Sequence, residues 1–429
     1  MLMTDYRLQA QRPISEKLGA SIWPYFGNDK VELMMGAAAK MGLKYANLNQ
    51  WLDPNSNFDY NSNSLTSAFD LAKKYSLGIV SCFGTSNGKS LNSDTQSYWT
   101  ADQLAQIKGQ CVKSIIEFAG RNIIYLPWNE PNNSYWAPQN TYDTIESNCN
   151  MQKYIATQAK KFDSSSLVAG PSIIWPLNYL EINKQFMKAF LNQGFFKQAD
   201  AVCEHPYVPQ SENSGHPEQL IKYDQNTFVG LPRITNEFGF PWPQTSNHAD
   251  STFQGIWSKR DAIKFTLRQI LILDYLNYSI IGLYTEDVQA DDYNLIDPDS
   301  GELNSAGNAI KWLIDELNGY TLDSKIEITE HVGYVDDLYL MKYTKEGAND
   351  KLVYWTPSRI GELYGLVYQN NFYKLKFSDY PQILETGSST FVAQHSSAQT
   401  NSNSSSAVTN DDLVDVNDSD WTTVLGNGE

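Results

Sequence analysis

Cysteine and histidine are scarce in this chain, with four and five residues among 429. Cys82, Cys111, Cys149 and Cys203 show neither the C-x-x-C spacing of a metal knuckle nor the density of a disulfide scaffold, so free buried thiols are expected. Five histidines, with no His-x-His on the first strand segment, are too few for a rich metal site, and neither a metal nor a cofactor is expected. Basic residues are outnumbered, 32 against 49 acidic, and the net charge of −17 repels nucleic acid and anionic lipid. Long apolar runs are missing too. No segment approaches the roughly 18 to 20 apolar residues of a membrane helix, and the opening MLMTDYRLQAQRP has no apolar stretch of signal-peptide length. The chain therefore reads as soluble without membrane insertion, with export and compartment left open. No Gly-rich phosphate loop follows any strand candidate, and the sixth has no Lys to form an imine.

What is present is a regular alternation of short apolar runs and longer amphipathic segments up to about residue 320. Eight strand candidates cover 18–26, 43–49, 77–84, 122–130, 166–175, 199–207, 231–239 and 278–286. Several are nearly continuous apolar runs, as expected of parallel strands buried on both faces. Between them, segments such as 30–42, 64–76 and 100–120 carry apolar residues at three- and four-residue spacing, the mark of a helix with one buried stripe. The connection 208–230 supports only a short helix. This pattern predicts a (β/α)8 TIM barrel over 1–320. Alternating stretches then predict a small antiparallel, sandwich-like β-module over 321–385, and residues 1–17, with no place in the barrel count, are a candidate addition to it. From 386 to 429 the chain is rich in Ser, Asn and Asp, with too little apolar surface to offset ordering, and reads as a disordered linker or tail. The acidic spacing of IDPDSGE, 296–302, lacks a full calcium-ligand set and reads as a polar turn.

Two strand candidates end alike. YLPWNEPNNSYW (125–136) and LPRITNEFGFPW (231–242) each run into Asn-Glu, at Glu130 and Glu237. In a parallel barrel the strand C-termini meet at one rim, where two carboxylates from different strands converge. Cleavage of a glycosidic bond needs such a pair: one acid to protonate the leaving oxygen and one carboxylate to meet the charge developing at the anomeric carbon. Tryptophans follow or end several strands, at Trp23, Trp51, Trp136, Trp175 and Trp242, and each is a candidate platform for a sugar ring or an ordinary core residue. Together they suggest an extended cleft and favour internal cleavage of a chain.

The sequence WNEPN at 128–132 resembles the acid/base motif of clan A glycoside hydrolases, and ITNEFG at 234–239 is similar to their nucleophile segment. The likeness points to families 39 and 5, the former also through VAGPS at 168–172. It implies a retaining β-glycosidase in which Glu130 is the general acid/base, Asn129 holds a sugar 2-hydroxyl, and Glu237 is the nucleophile. EHPY at 204–207 resembles the His-x-Tyr of the same clan, which implies that Tyr207 contacts the nucleophile and His205 lines the subsite. Where the clan carries a Trp at the end of the eighth strand this chain has GLYTEDVQADDY, so Tyr284 would replace it and Glu286 would face the sugar. The second strand lacks the Arg of family 5 and offers Asn47 and Asn49 instead. The expected partner is a β-glycan or exopolysaccharide, and oligomeric state is open. The competing reading is a non-catalytic glycan-binding or structural protein on a degenerate barrel.

Overall fold

A computed structural model describes residues 5–53, 62–85, 100–132, 142–174, 180–208, 211–212, 230–242, 257–286, 293–297, 299–326, 331–332, 338–358, 361, 363–369, 371–387 and 393–394. The chain divides into two compact units, 1–319 and 320–429.

The first unit is a closed, all-parallel barrel. Its strands are β1 (Leu18–Ile22), β2 (Tyr45–Asn47), β3 (Gln50–Leu52), β4 (Gly78–Thr85), β5 (Ile124–Leu126), β6 (Leu167–Ile174), β7 (Ala201–His205), β8 (Arg233–Thr235) and β9 (Tyr278–Glu286). The order β2-β1-β9-β8-β7-β6-β5-β4 is closed by pairing of β2 with β4, and β3 prolongs the second strand position along β4. All eight expected strand positions are therefore present. Burial on both faces explains their composition: every residue of β1, β2, β5, β7 and β8 is buried.

Around the barrel lie α1 (Asn28–Met41), α2 (Ser62–Lys74), α3 (Ala101–Glu117), α4 (Tyr142–Phe162), α5 (Leu180–Asn192), α6 (Lys259–Tyr275) and α7 (Ser305–Glu316). Their ends follow local chemistry. Thr100 and Gln103 form a reciprocal capping box at the start of α3, and the Asn304 side chain accepts from Ala306 and Gly307 at the start of α7. Gly42 ends α1 at φ 95°, a left-handed position that also presses on Ile314, where a Cβ would come within 3.0 Å of a methyl. The short helix expected within 208–230 lies outside the described residues, apart from its flanks. No helix among the described residues is long and apolar enough to cross a membrane.

The N-terminal segment corrects one expectation. Residues 5–17 do not add to the β-module; they cover the N-terminal mouth of the barrel through two short 3-10 turns, Tyr6–Leu8 and Ile14–Glu16. Leu8 joins the interior cluster with Val80, Ile124, Ile234 and Ile280. The buried Arg12 guanidinium donates to the Tyr45 hydroxyl at 3.2 Å and to the carbonyls of Gln9, Arg7 and Ser279, while Ser279 Oγ donates to the Leu8 carbonyl at 2.7 Å. The physical reason is that the open end of a barrel exposes apolar side chains that a nearby segment can cover. A buried ion pair fastens the same segment: Lys17 Nζ lies 2.5 Å from Asp274 on α6, with side chains 2% and 0% exposed. Lys17→Met would remove the lysine from the buried Asp274 carboxylate, and a loss of about 3–5 kcal/mol is expected in urea unfolding. A loss below about 1 kcal/mol would show that the pair contributes only what a surface pair does.

The second unit contains two four-stranded antiparallel sheets. One joins β10 (Thr321–Lys325), β12 (Tyr339–Thr344), β13 (Lys351–Trp355) and β16 (Gln382–Glu385); the other joins β11 (His331–Val332), β14 (Leu363–Tyr368), β15 (Asn371–Lys376) and β17 (Ala393–Gln394). Leu340, Leu352 and Tyr354 from the first pack with Tyr364, Leu366 and Tyr373 from the second in one core. The tail expected from 386 onward lies outside the described residues, apart from 386–387 and the short β17. In IDPDSGE the Asp297 carboxylate accepts from the backbone of Asp299 and Ser300 and from the Ser300 hydroxyl, so it closes a polar turn.

Candidate active site

The C-terminal ends of β5, β7 and β8 bring Glu130, His205, Tyr207, Asn236 and Glu237 together. Glu130 lies a few residues past β5, in a segment fixed at several points. Asn129 N–H donates to the Phe83 carbonyl at 2.8 Å and Glu130 N–H to the Ser172 carbonyl at 3.1 Å. Asn132 exchanges two hydrogen bonds with the backbone of Ile174, at 2.6 and 3.0 Å, which ties the turn to the end of β6. Held in this way, Glu130 adopts φ 42°, a left-handed conformation uncommon for a residue with a side chain. Such strain is retained where the surroundings over-determine it, and functional sites are where it collects.

Glu130 is 6% exposed and His205 is fully buried, whereas Glu237 is half-buried. His205 Nδ1 lies 2.9 Å from Glu130 Oε1, and its Nε2 lies 2.8 Å from Asn236 Oδ1. The Tyr207 hydroxyl donates to Glu237 Oε1 at 2.7 Å. Burial and the Glu237 charge push the Tyr207 phenol well above its ordinary range, so it remains a donor. At His205 burial pulls the other way, favouring the neutral ring, but the Glu237 charge, together with the hydrogen bond and charge of Glu130, outweighs it and raises the imidazole above its usual value. One oxygen of Glu130, one ring nitrogen of His205 and one oxygen of Glu237 all lie within 4.8 Å of one another. Two carboxylates and an imidazole are a possible ligand set for a divalent ion. Here, however, both imidazole nitrogens already face oxygen partners, which leaves no ring lone pair directed at a metal.

The aromatic candidates fall into three groups. Trp23, just past β1, stacks on Trp51 of β3, with ring centroids 5.5 Å apart and planes 26° from parallel, and both rings are half-buried. The Trp51 ring lies against Gly84, where a Cβ would come within 2.3 Å of it, and the Trp51 N–H donates to the Tyr25 hydroxyl at 2.8 Å. Tyr284, half-buried on β9, meets Tyr293 edge to face at 5.3 Å, and Tyr293 meets Tyr207 in the same manner at 6.4 Å. Trp242 is only 5% exposed and presents little ring face. Trp136 and Trp175 lie outside the described residues, as does the side chain of Glu286, whose backbone ends β9.

Sequence reasoning missed Asn236 and Tyr293. For Asn236 a signal existed, because it occupies in TNEFG the place that Asn129 occupies in WNEPN. Asn236 is 1% exposed, its carbonyl accepts from the Asn47 amide at 3.0 Å, and Asn47 also donates to Ser21 Oγ at 2.9 Å. Gly282 is required beside it, since a Cβ there would sit 2.6 Å from the Asn236 backbone. Tyr293 reaches the site from a segment with no regular pattern, and nothing in its local sequence announces it.

No known sequence family matches the chain, and no curated protein matches it. Solved structures do. A family 39 glycoside hydrolase from the gut symbiont Bacteroides cellulosilyticus superposes with a TM-score of 0.64 at 14% identity, covering 88% of this chain and 81% of that one. A family 30 endoxylanase from Clostridium papyrosolvens gives a TM-score of 0.57 at 12% identity, covering 88% and 95%. An endo-β1,6-glucanase gives 0.54 at 14% identity, covering 89% and 92%. The chain thus shares with these glycoside hydrolases the (β/α)8 barrel fold.

Proposed function

We infer that this protein is a retaining β-glycoside hydrolase with Glu130 as acid/base and Glu237 as nucleophile. The observation that carries the reading is the approach of the two carboxylates: an oxygen of each lies within 4.8 Å of the other. Retaining enzymes hold the two groups about 5–5.5 Å apart so that the second carboxylate attacks directly, whereas about 6.5–9.5 Å is needed to admit a water in inverting ones. In the first step Glu237 attacks the anomeric carbon and Glu130 gives its proton to the departing glycosidic oxygen, leaving a sugar esterified to Glu237. In the second, Glu130 takes a proton from water, and the resulting attack releases the sugar with its configuration unchanged. Tyr207 holds one oxygen of Glu237 by hydrogen bond and directs the other for attack.

The substrate is a β-linked glycan cut internally. Support comes from the stacked and half-buried Trp23 and Trp51, a paired aromatic surface of the kind a sugar chain packs on, and from the likeness to an endoxylanase and an endo-β1,6-glucanase. The test is proton NMR of the first products from a panel of β-glucans, xylan, mannan and bacterial exopolysaccharides, with product lengths read in parallel. Initial release of the β-anomer and a ladder of oligosaccharides is expected. Initial α-anomer would overturn retention, a single small product would overturn internal cleavage, and binding without any release would favour a glycan-binding protein.

Tyr207→Phe keeps the ring contact with Tyr293 and removes one hydrogen bond to a charged group, worth about 1.5–3 kcal/mol. The expected fall in kcat/KM is roughly ten- to hundredfold, with the melting temperature nearly unchanged. An equal fall in stability would reassign the hydroxyl to the fold.

A further inference from the structure

Beneath the two carboxylates lie two thiols for which the reaction itself has no use. Cys82 on β4 and Cys203 on β7 are buried in the barrel interior. Cys203 Sγ lies 3.1 Å from Asn236 Oδ1, and Cys82 Sγ lies 3.6 Å from Asn129 Oδ1. Asn129 and Asn236 are the residues directly before Glu130 and Glu237. Burial pushes the Cys203 thiol up to about 12 and the Cys82 thiol well above its ordinary value, so both keep their protons and act as donors. A donor matters here because the two ends of an amide have nearly the same shape and differ only in hydrogen bonding. An S–H facing the amide selects its oxygen.

The selection is passed on. Asn236 Oδ1, which accepts from Cys203, also lies 2.8 Å from His205 Nε2, and an amide oxygen can only accept. His205 Nε2 must then carry hydrogen, and its other nitrogen, Nδ1, faces Glu130 Oε1 at 2.9 Å.

We propose that Cys203 is a positioning residue whose S–H holds the Asn236 amide oxygen toward His205, keeping Nε2 protonated so that Nδ1 shares a single proton with Glu130. Two states of equal proton count interconvert. In one, Glu130 is a carboxylic acid donating to a bare Nδ1; in the other it is a carboxylate accepting from the Nδ1–H of an imidazolium. The proton needed by the leaving group is thus retained by the pair. With the amide reversed, its N–H would donate to Nε2, a neutral ring would carry hydrogen on Nδ1, and that hydrogen would stabilise the Glu130 carboxylate, the wrong form for the first step. The Cys82 thiol, by contrast, faces two acceptors, Asn129 Oδ1 at 3.6 Å and the Phe83 carbonyl at 3.7 Å, and so does not fix its amide in this way. The charged groups acting on His205 are Glu130 beyond β5 and Glu237 beyond β8, with Tyr207, two residues past the end of β7, bound to Glu237. The consequence for catalysis rests on Glu130 being the acid/base, but the hydrogen pattern of His205 does not.

The experiment is nitrogen NMR of the full-length chain with labelled histidine, where five residues give few signals and His205→Gln identifies the one needed. Hydrogen on Nε2 is expected in the wild type and in Cys203→Ser, which keeps a donor, and a bare Nε2 in a measurable fraction of Cys203→Ala. In kinetics, the basic limb of the kcat/KM profile moves to lower pH in Cys203→Ala and returns in Cys203→Ser. The loss at high pH stays within the roughly 10²- to 10⁴-fold contribution of general acid–base catalysis. A bare Nε2 in the wild type, or a pattern and limb unmoved in Cys203→Ala, overturns the proposal. A purely structural role would lower activity at all pH values without moving the limb. Should no glycan be cleaved, the glycosidase reading fails while the NMR still decides this one.

Discussion

Glu237→Gln is expected to lower kcat on a cleavable glycan by on the order of 10⁴- to 10⁶-fold, as removal of a covalent nucleophile does elsewhere. The amide keeps the shape and can still meet the Tyr207 hydroxyl, so folding and oligosaccharide binding should survive. Glu237→Ala makes the sharper test. It opens space beside the anomeric carbon, and a small anion such as azide can enter there and attack from the face the carboxylate used. The product would be a glycosyl azide of inverted configuration, because a single displacement replaces two. Undiminished turnover in Glu237→Gln would remove this residue from the mechanism, and azide product of retained configuration would place the nucleophile elsewhere.

Glu130→Gln separates the two steps by their need for a proton. On an unactivated oligosaccharide the leaving oxygen is strongly basic, and losing its acid should cost roughly 10²- to 10⁴-fold in kcat/KM. An aryl glycoside with a very acidic phenol departs without help, so its first step should be nearly unaffected. The covalent intermediate should then accumulate, because the base for the water step is missing, and appear as a burst of phenol. Glu130→Ala with azide should yield the glycosyl azide of retained configuration, the opposite outcome to Glu237→Ala. Equal losses on good and poor leaving groups would mean that Glu130 supports the site without delivering the proton. The strained backbone at φ 42° gives the variant a control: Glu130→Gly relieves strain and removes the acid, so it should lose activity while gaining or holding stability.

Much of this protein was legible before folding was considered, and the reasons are local. Nearly continuous apolar runs such as LGIVSCFG mark strands covered on both faces, and three- and four-residue spacing in KVELMMGAAAKMG marks a helix against them. Because a strand's end is where its apolar run stops, the positions of Glu130 and Glu237 at one rim followed from the same pattern, given a parallel barrel. The repeated Asn-Glu was visible as well, although its resemblance to a known motif suggested a role for Asn129 and none for Asn236.

What failed in the reading were contacts that depend on closure. Residues 5–17 carry no barrel periodicity, so their role as a cover for the N-terminal mouth is set by the apolar opening that they meet. Trp242 sits at a strand end as Trp23 and Trp51 do, but it is only 5% exposed while those two stack on each other at 5.5 Å. Strand position alone does not decide which ring faces solvent.

The sequence by itself determined the alternation of strands and helices, the separate β-module and the place of Glu130 and Glu237 just past two strand ends, because periodicity and composition act over a few residues. Only the tertiary structure decided that oxygens of Glu130 and Glu237 approach within 4.8 Å, that His205 lies between Glu130 and Asn236, and that the Cys203 thiol comes within 3.1 Å of the Asn236 amide oxygen. Those distances arise from how eight strands tilt and stagger when a barrel closes, a property of the whole sheet that no short stretch of sequence contains.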